Sequence, residues 1–292
     1  MTKERFYKWI FTALAFSSLF FLLGIMITLL VQALPMFRQV GILRFIGGKY
    51  WYPTYSTPSF GILPLMLGSV VVTTGAACVC IPLGVGSALY IHELAGPIQR
   101  AILKPVIEIL AGIPSIVYGF FGMVIMAPMV QRFFGIPTGL NAFTASLMLG
   151  VMATPTVCSI AEDALNVVPS SFKEASLALG ANRWQTLVKV IIPAAGSGIS
   201  TAIILGMSRA VGETMTVLMV AGGAACIPRS IFDPVRPMTA TIAAEMGEAV
   251  MGSLHFHALF AIGLVLFVIT FIFNIVAEII SRRFRLRLGL GR

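Results

Sequence analysis

Apolar residues run in long blocks along this chain, and polar residues collect between the blocks. The blocks predict helices at about 9–34, 62–91, 105–130, 142–161, 193–224 and 254–280, each at least as long as the ~20 residues that cross the hydrocarbon layer of a bilayer. Pro35 is expected to end the first. The third contains Gly112, Pro114 and Gly119, which predict a bend or a break. Thr154, Pro155 and Thr156 either bend the fourth toward a cavity or merely kink it. Between the first two blocks, Tyr50, Trp51, Tyr52 and Tyr55 cluster in a polar segment at 36–61, and such rings prefer the membrane–water interface. Residues 162–192 form the longest amphipathic, charged stretch, and 225–253 a mixed loop with Pro228, Pro234 and Pro237. Three regions follow: 1–61, a first helix with an aromatic loop; 62–281, the main transmembrane domain; and 282–292, a basic tail with Arg282, Arg283, Arg285, Arg287 and Arg292. The expected fold class is an all-α integral membrane protein with about six spans.

Composition agrees. Of 292 residues, 58% are hydrophobic and 11% charged, too few charges to solvate the surface of a soluble protein of this size. The formal charge of +9 invites a nucleic-acid reading, but the basic residues sit between and after the apolar blocks, as topology determinants do. With the N-terminus in the cytoplasm, Lys3, Arg5, Lys8, Arg100, Lys104, Lys173, Arg183, Lys189 and the five tail arginines fall inside. Arg38, Arg44, Lys49, Arg132, Arg229 and Arg236 fall outside, and Arg209 lies within a span. This bias places both termini and the 162–192 stretch in the cytoplasm. The run after Lys8 is too long for a cleaved signal and is read as a retained span. Cys78, Cys80, Cys158 and Cys226 have no metal-site spacing and read as small buried hydrophobes.

The charged stretch has local order of its own. Ser171 and Glu174 have capping-box spacing, Phe172 to Leu179 would make two helical turns, Gly180 suits a left-handed residue closing a helix, and Asn182 can cap the next. So short a helix is marginal in water, and its apolar residues Phe172, Ala175, Leu177 and Leu179 must pack on a partner protein or on the chain's own helices.

Glu174-Ala175-Ser176, then Gly180, then Val190-Ile191-Ile192-Pro193 resembles the EAA loop of ABC importer permeases, with Ser176, Val190 and Ile192 as mild departures. The resemblance extends along most of the chain. Ser59 to Pro64, Ala111 to Gly122 and Ser208 to Met215 resemble phosphate importer permeases, and Gly212-Glu213-Thr214-Met215 is similar to the PstC type rather than its PstA-type sister. The resemblance implies the type I importer permease fold. It implies that Glu174, Ala175, Ser176 and Gly180 belong to a coupling helix, near 171–180, that seats in a separate ATPase. It further implies a bacterial inner-membrane assembly with a PstA-like second permease, two PstB-like ATPases, an extracytoplasmic PstS-like binding protein and inorganic phosphate as cargo. This chain would bind no cofactor, ATP being used by the partner ATPase.

Arg209 is predicted deep in the bilayer, where an arginine costs about 2.5–3.5 kcal/mol on insertion scales and must face protein or water. Glu213 lies one helical turn on, and Ser208, Gly212 and Thr216 would share a neighbouring stripe. Two readings stand. Arg209, with hydroxyls of Ser208, Thr214 or Thr216, lines the passage of an oxyanion, since the guanidinium fork matches two of its oxygens. Alternatively, Arg209 and Glu213 form a structural pair.

No Gly-x-x-x-x-Gly-Lys-Ser/Thr loop, HExxH or GxSxG motif occurs, which argues against an ATPase and against an intramembrane enzyme. The coupling loop leaves another cargo open, such as molybdate, sulfate or an amino acid.

Overall fold

The computed structural model describes residues 3–287, with side chains from 5 to 279. Helix α1 (Lys3–Val40) runs straight through Pro35, so the proline does not end it. A proline inside a span is tolerated because neighbouring groups re-satisfy the freed carbonyl. Its apolar side chains, Phe16, Phe20 and Ile27 among them, face outward, as a lipid-facing span requires. The expected loop at 36–61 holds α2 (Ile42–Gly47) and a small hairpin of β1 (Trp51–Tyr52) and β2 (Ser59–Phe60), with Trp51 opposite Phe60.

Helix α3 (Leu63–Leu89) continues into a π turn at Tyr90–Leu94. Next come α4 (Pro97–Ala111), α5 (Ser115–Phe121), a π turn at Gly122–Met126, and α6 (Ala127–Phe134). The bend or break expected within 105–130 is a break, and it falls at Gly112–Pro114. Pro114 brings no N–H and disfavours a helical residue before it. The apolar crossing segment is 115–134, and α4 begins earlier, packing beside α7 (Ala142–Asn166).

After α7 lie α8 (Ser170–Ala178), α9 (Arg183–Thr186), a π turn at Leu187–Ile191, α10 (Ile192–Ala194) and α11 (Gly196–Val211). The fifth span is thus not one rod from 193 to 224. It bends by 69° at Ala195 and stops at Val211. Two of the three π turns sit just before a proline, Pro128 and Pro193; the wide turn gives room where the ring would meet a carbonyl. The chain closes with α12 (Met215–Val220), α13 (Met238–Glu245) and α14 (Leu254–Arg287). The side chains of the basic tail lie outside the described residues.

Span α7 is the axis, 61% buried in its apolar window against none for α1. Lipid removes the hydrophobic drive between helices, so close van der Waals fit must join them. Glycines supply it. A Cβ on Gly150 would lie 2.5 Å from Val79 Cβ, and one on Gly84 2.7 Å from Val157 Cβ. These contacts lock α3 to α7. Buried residues form three clusters. One lies toward α8, around Ile91, Val157, Leu165 and Ile191; one is central, around Val72, Leu149 and Val217; and one is at the opposite end, around Met36, Trp51, Leu65 and Leu259.

At that opposite end Glu245 gathers three elements. Its carboxylate accepts from Trp51 Nε1 (3.1 Å) and Arg236 Nη1 (2.7 Å) and faces His255 Nε2 at 2.9 Å. The hairpin is fixed to α13 and α14 in this way.

Candidate functional site

Two helix breaks meet beside the middle of α7. One is Gly112–Pro114; the other is Gly212–Thr214, between α11 and α12. Thr216, fully buried, donates to the Ser115 carbonyl at 2.9 Å and lies 3.8 Å from Met152 Sδ of α7. Tyr118 closes the first break by donating to the Leu110 carbonyl at 3.0 Å. Irregular backbone at this depth is tolerated only where protein buries it or water lines it.

Arg209 stands at the last turn of α11 and points into this junction. Its Nη1 donates to Thr156 Oγ1 at 3.2 Å and approaches the Ala111 carbonyl at 3.4 Å. A cation suits the carbonyl ends of α4 and α11 that meet there. Nε and Nη2 have no hydrogen-bond partner among the described residues, and the side chain is partly exposed.

The expected Arg209–Glu213 pair is absent among the described residues. The spacing of four assumed an unbroken helix, and the helix stops at Val211. Glu213 Oε1 instead accepts from the Thr216 amide at 3.2 Å, capping α12, and the Glu213 carbonyl accepts from Thr239 Oγ1 at 2.8 Å. The stripe of Ser208, Gly212 and Thr216 is dispersed by the same break. Ser208 donates to Asn274 of α14 at 2.8 Å, away from Arg209, and Thr216 turns to Ser115. Thr214 Oγ1 lies 3.4 Å from the Gly212 carbonyl. Thr156 and Asn274 belong to the junction and its surroundings and were not singled out as site residues from sequence; a polar residue inside an apolar block was the available signal.

The second candidate surface is α8. It starts at Ser170, with Pro169 as the cap residue and no side-chain cap bond, so the Ser171–Glu174 capping box does not form. Pro169, with its φ fixed, sets the helix entrance two residues earlier. The other end follows expectation. Gly180 has φ +84°, Gly180 N–H donates to Leu177 O (3.0 Å) and Ala181 N–H to Ser176 O (3.2 Å), a Schellman closure. Asn182 and Gln185 then cap α9 reciprocally at 2.8 and 3.0 Å. No residue of α8 is buried. Glu174 and Ala175 are exposed, and Ser176 meets Thr186 at 2.9 Å. Phe172 and Leu179 are exposed at a cleft of about 550 Å³ also lined by Ala175, Gly180 and Lys189, and Trp184 is exposed.

A multi-pass bundle with broken central helices and an exposed short helix at one end is the architecture of a transporter permease. The family profile described as binding-protein-dependent transport system inner membrane component matches residues 80–286, and the chain belongs to that family. It is 39% identical over 278 residues to the probable ABC transporter permease protein YqgH of Bacillus subtilis (strain 168), covering 94% of this chain and 90% of that one. It is 36% identical over 264 residues to the phosphate transport system permease protein PstC of Mesorhizobium japonicum, covering 84% and 80%. The PstC protein of Haemophilus influenzae is 32% identical over 280 residues, covering 89% and 87%. Among solved structures, a bacterial alginate ABC transporter in complex with a periplasmic protein superposes with TM-score 0.65 at 13% identity, covering 96% of each chain. The inward-facing MetNI methionine ABC transporter gives 0.56 at 22%, covering 77% of this chain and 94% of that one. The solved structures establish the fold, that of type I ABC importer permeases.

Proposed function

We propose that this chain is the PstC-type permease subunit of an ATP-driven phosphate importer. The observation that carries the reading is the match to phosphate permeases over most of both chains. The geometry supports it independently. Transporters place cargo near the midplane where discontinuous helices meet, and here two breaks meet at the centre of α7 beside an arginine with uncommitted donors. Arg209 lines the oxyanion's path, with Glu213 and Thr214 at the same break; Ser208 and Thr216 stand on its flanks. Phosphate is divalent near neutral pH, and a guanidinium fork binds two of its oxygens.

In the same reading α8 is the coupling helix. Glu174, Ala175, Ser176 and Gly180 present it to an ATPase subunit, which uses ATP, so the permease itself is not an enzyme. The working assembly is this chain, a PstA-like permease, two PstB-like ATPases and a PstS-like binding protein that meets the opposite end of the bundle. Both termini lie in the cytoplasm of a bacterial cell, and the aromatic hairpin lies outside the inner membrane.

Uptake of labelled phosphate and labelled sulfate, compared in a strain lacking this chain and in the complemented strain, tests the cargo. Loss and recovery of phosphate uptake alone is expected. Recovery of sulfate, molybdate or amino-acid uptake instead would assign another importer, a reading that YqgH, whose name specifies no cargo, keeps in view. For topology, a cysteine at position 177 in a Cys226→Ser background must resist impermeant thiol reagents added to intact cells.

A further inference from the structure

We propose that Lys173 and Glu93 form a strut that carries movement of α8 directly into the second span. This deepens the reading of α8 as the ATPase contact and rests on it.

The need for such a contact follows from the helix itself. Nine residues with none buried hold their position only weakly by packing. The covalent joints of α8 are short non-helical segments, one of them bent through Gly180 in the left-handed region. Two side-chain contacts tie it down. Ser176 meets Thr186 on α9, its own neighbour in the chain. Lys173 Nζ donates to Glu93 Oε2 at 2.6 Å, reaching across to the π turn that ends α3. Among the described residues it is the side-chain hydrogen bond or ion pair that joins α8 to a span other than the one into which its own chain continues.

Glu93 depends on that lysine. Its side chain is 10% exposed, and Oε1 is buried without a hydrogen-bond partner. His92 Nε2 is 3.5 Å from Oε1, but the ring's tautomer is set elsewhere. Asn166 Nδ2 donates to Glu162 Oε1 at 2.6 Å, so its amide oxygen faces His92 Nδ1 at 3.0 Å and receives the ring's N–H. Nδ1 of His92 is thereby engaged by Asn166, not by Glu93. Lys173 supplies the charge that a buried carboxylate requires.

From Glu93 the connections continue inward. Arg100 of α4 donates to the Ile91 and His92 carbonyls at 3.1 and 2.6 Å. Lys104 of α4 bridges Glu162 and Asp163 of α7 at 2.7 and 3.0 Å. Thus α3, α4 and α7 form one bolted unit at this end, and α4 and α7 are the elements whose Ala111 and Thr156 touch Arg209. The strut enters that unit directly.

The test uses the full importer reconstituted in proteoliposomes with the binding protein. Lys173→Glu and Glu93→Lys are each expected to retain the bound ATPase and its ATP hydrolysis. Phosphate delivered per ATP should fall about fivefold or more, the low end of the range for a coupling contact. Lys173→Glu combined with Glu93→Lys should bring the ratio back to within about twofold, a rescue that a coupling energy between the two residues predicts. Lys173→Gln, at a partly exposed position, gives the same loss and is read where a reversal does not assemble. An unchanged ratio in the single variants, a swap without rescue, or dissociation of the ATPase in step with lost uptake overturns the strut. A cysteine at 177 cross-linked to the ATPase separates the two readings. Cross-linking with an unchanged ratio removes the strut alone; no cross-link in an active importer removes α8 as the contact and the strut with it.

Discussion

Arg209 reaches Thr156 across the junction of α11 and α7 at 3.2 Å and leaves Glu213, four residues later, to cap a different helix. The cation is therefore held in the bundle by a hydroxyl and a carbonyl rather than cancelled by a carboxylate. That arrangement leaves the positive charge uncancelled where the two broken helices meet.

Replacing Arg209 by Gln is expected to lower phosphate uptake more than about tenfold, since truncating a hydrogen-bonded charge costs at least ~2 kcal/mol. The ATPase should still co-purify. Arg209→Lys keeps the charge but not the fork and should recover only part of the uptake. Labelled-phosphate uptake beside a pull-down of the complex measures both; loss of assembly would assign Arg209 a purely structural role.

Thr216→Val should act on stability, not on the path. The buried hydroxyl donates to Ser115 O, and orphaning that carbonyl costs about 1–3 kcal/mol. A lower unfolding temperature in detergent is expected, with uptake per assembled complex retained. A variant of normal stability that fails to transport would return Thr216 to the path.

At Gly180 the backbone alone decides. A Cβ there meets nothing within 4 Å, but φ is +84°, so Gly180→Ala costs about 1–2 kcal/mol of backbone strain. Retention of the ATPase through purification should drop several-fold, and less for Gly180→Asn, which tolerates this conformation. Equal retention by both variants would show that the closure of α8 does not bear on ATPase binding.

Glu245→Gln should loosen the hairpin of β1 and β2. It weakens the 2.7 Å pair with Arg236, whose side chain is 30% exposed. A loss of about 2 kcal/mol is expected, below the range for fully buried pairs. Thermal unfolding and protease cleavage within 49–60 report it, and unchanged cleavage would mean that Trp51 packing holds the hairpin unaided.

The spans were legible because a bilayer demands long apolar runs, and such runs leave a plain trace. The closure at Gly180 and the cap at Asn182 were legible because both are local events of a few residues. The Ser171–Glu174 spacing misled because Pro169 fixes the helix entrance before either side chain can act. Pro193 looked like the start of a rod, yet the π turn at Leu187–Ile191 lets the helix run up to it and the bend falls at Ala195; hydropathy carries no record of direction. The Arg209–Glu213 pairing failed for the related reason that side-chain spacing means nothing across a break. Lys173–Glu93 and Lys104–Glu162 join residues remote in sequence, and no periodicity points to such partners.

The elbow at Ala195 has a mechanical meaning. A thrust delivered along α9 and α10 arrives at α11 with a 69° change of heading, so its smaller component runs down the axis and its larger component pushes the rod sideways. Lateral sweep of a rigid segment opens or shuts a gap at its far tip while the foot barely shifts. The tip of α11 carries the partly exposed Arg209, so a sideways push at the elbow would shift that cation against Thr156 of α7.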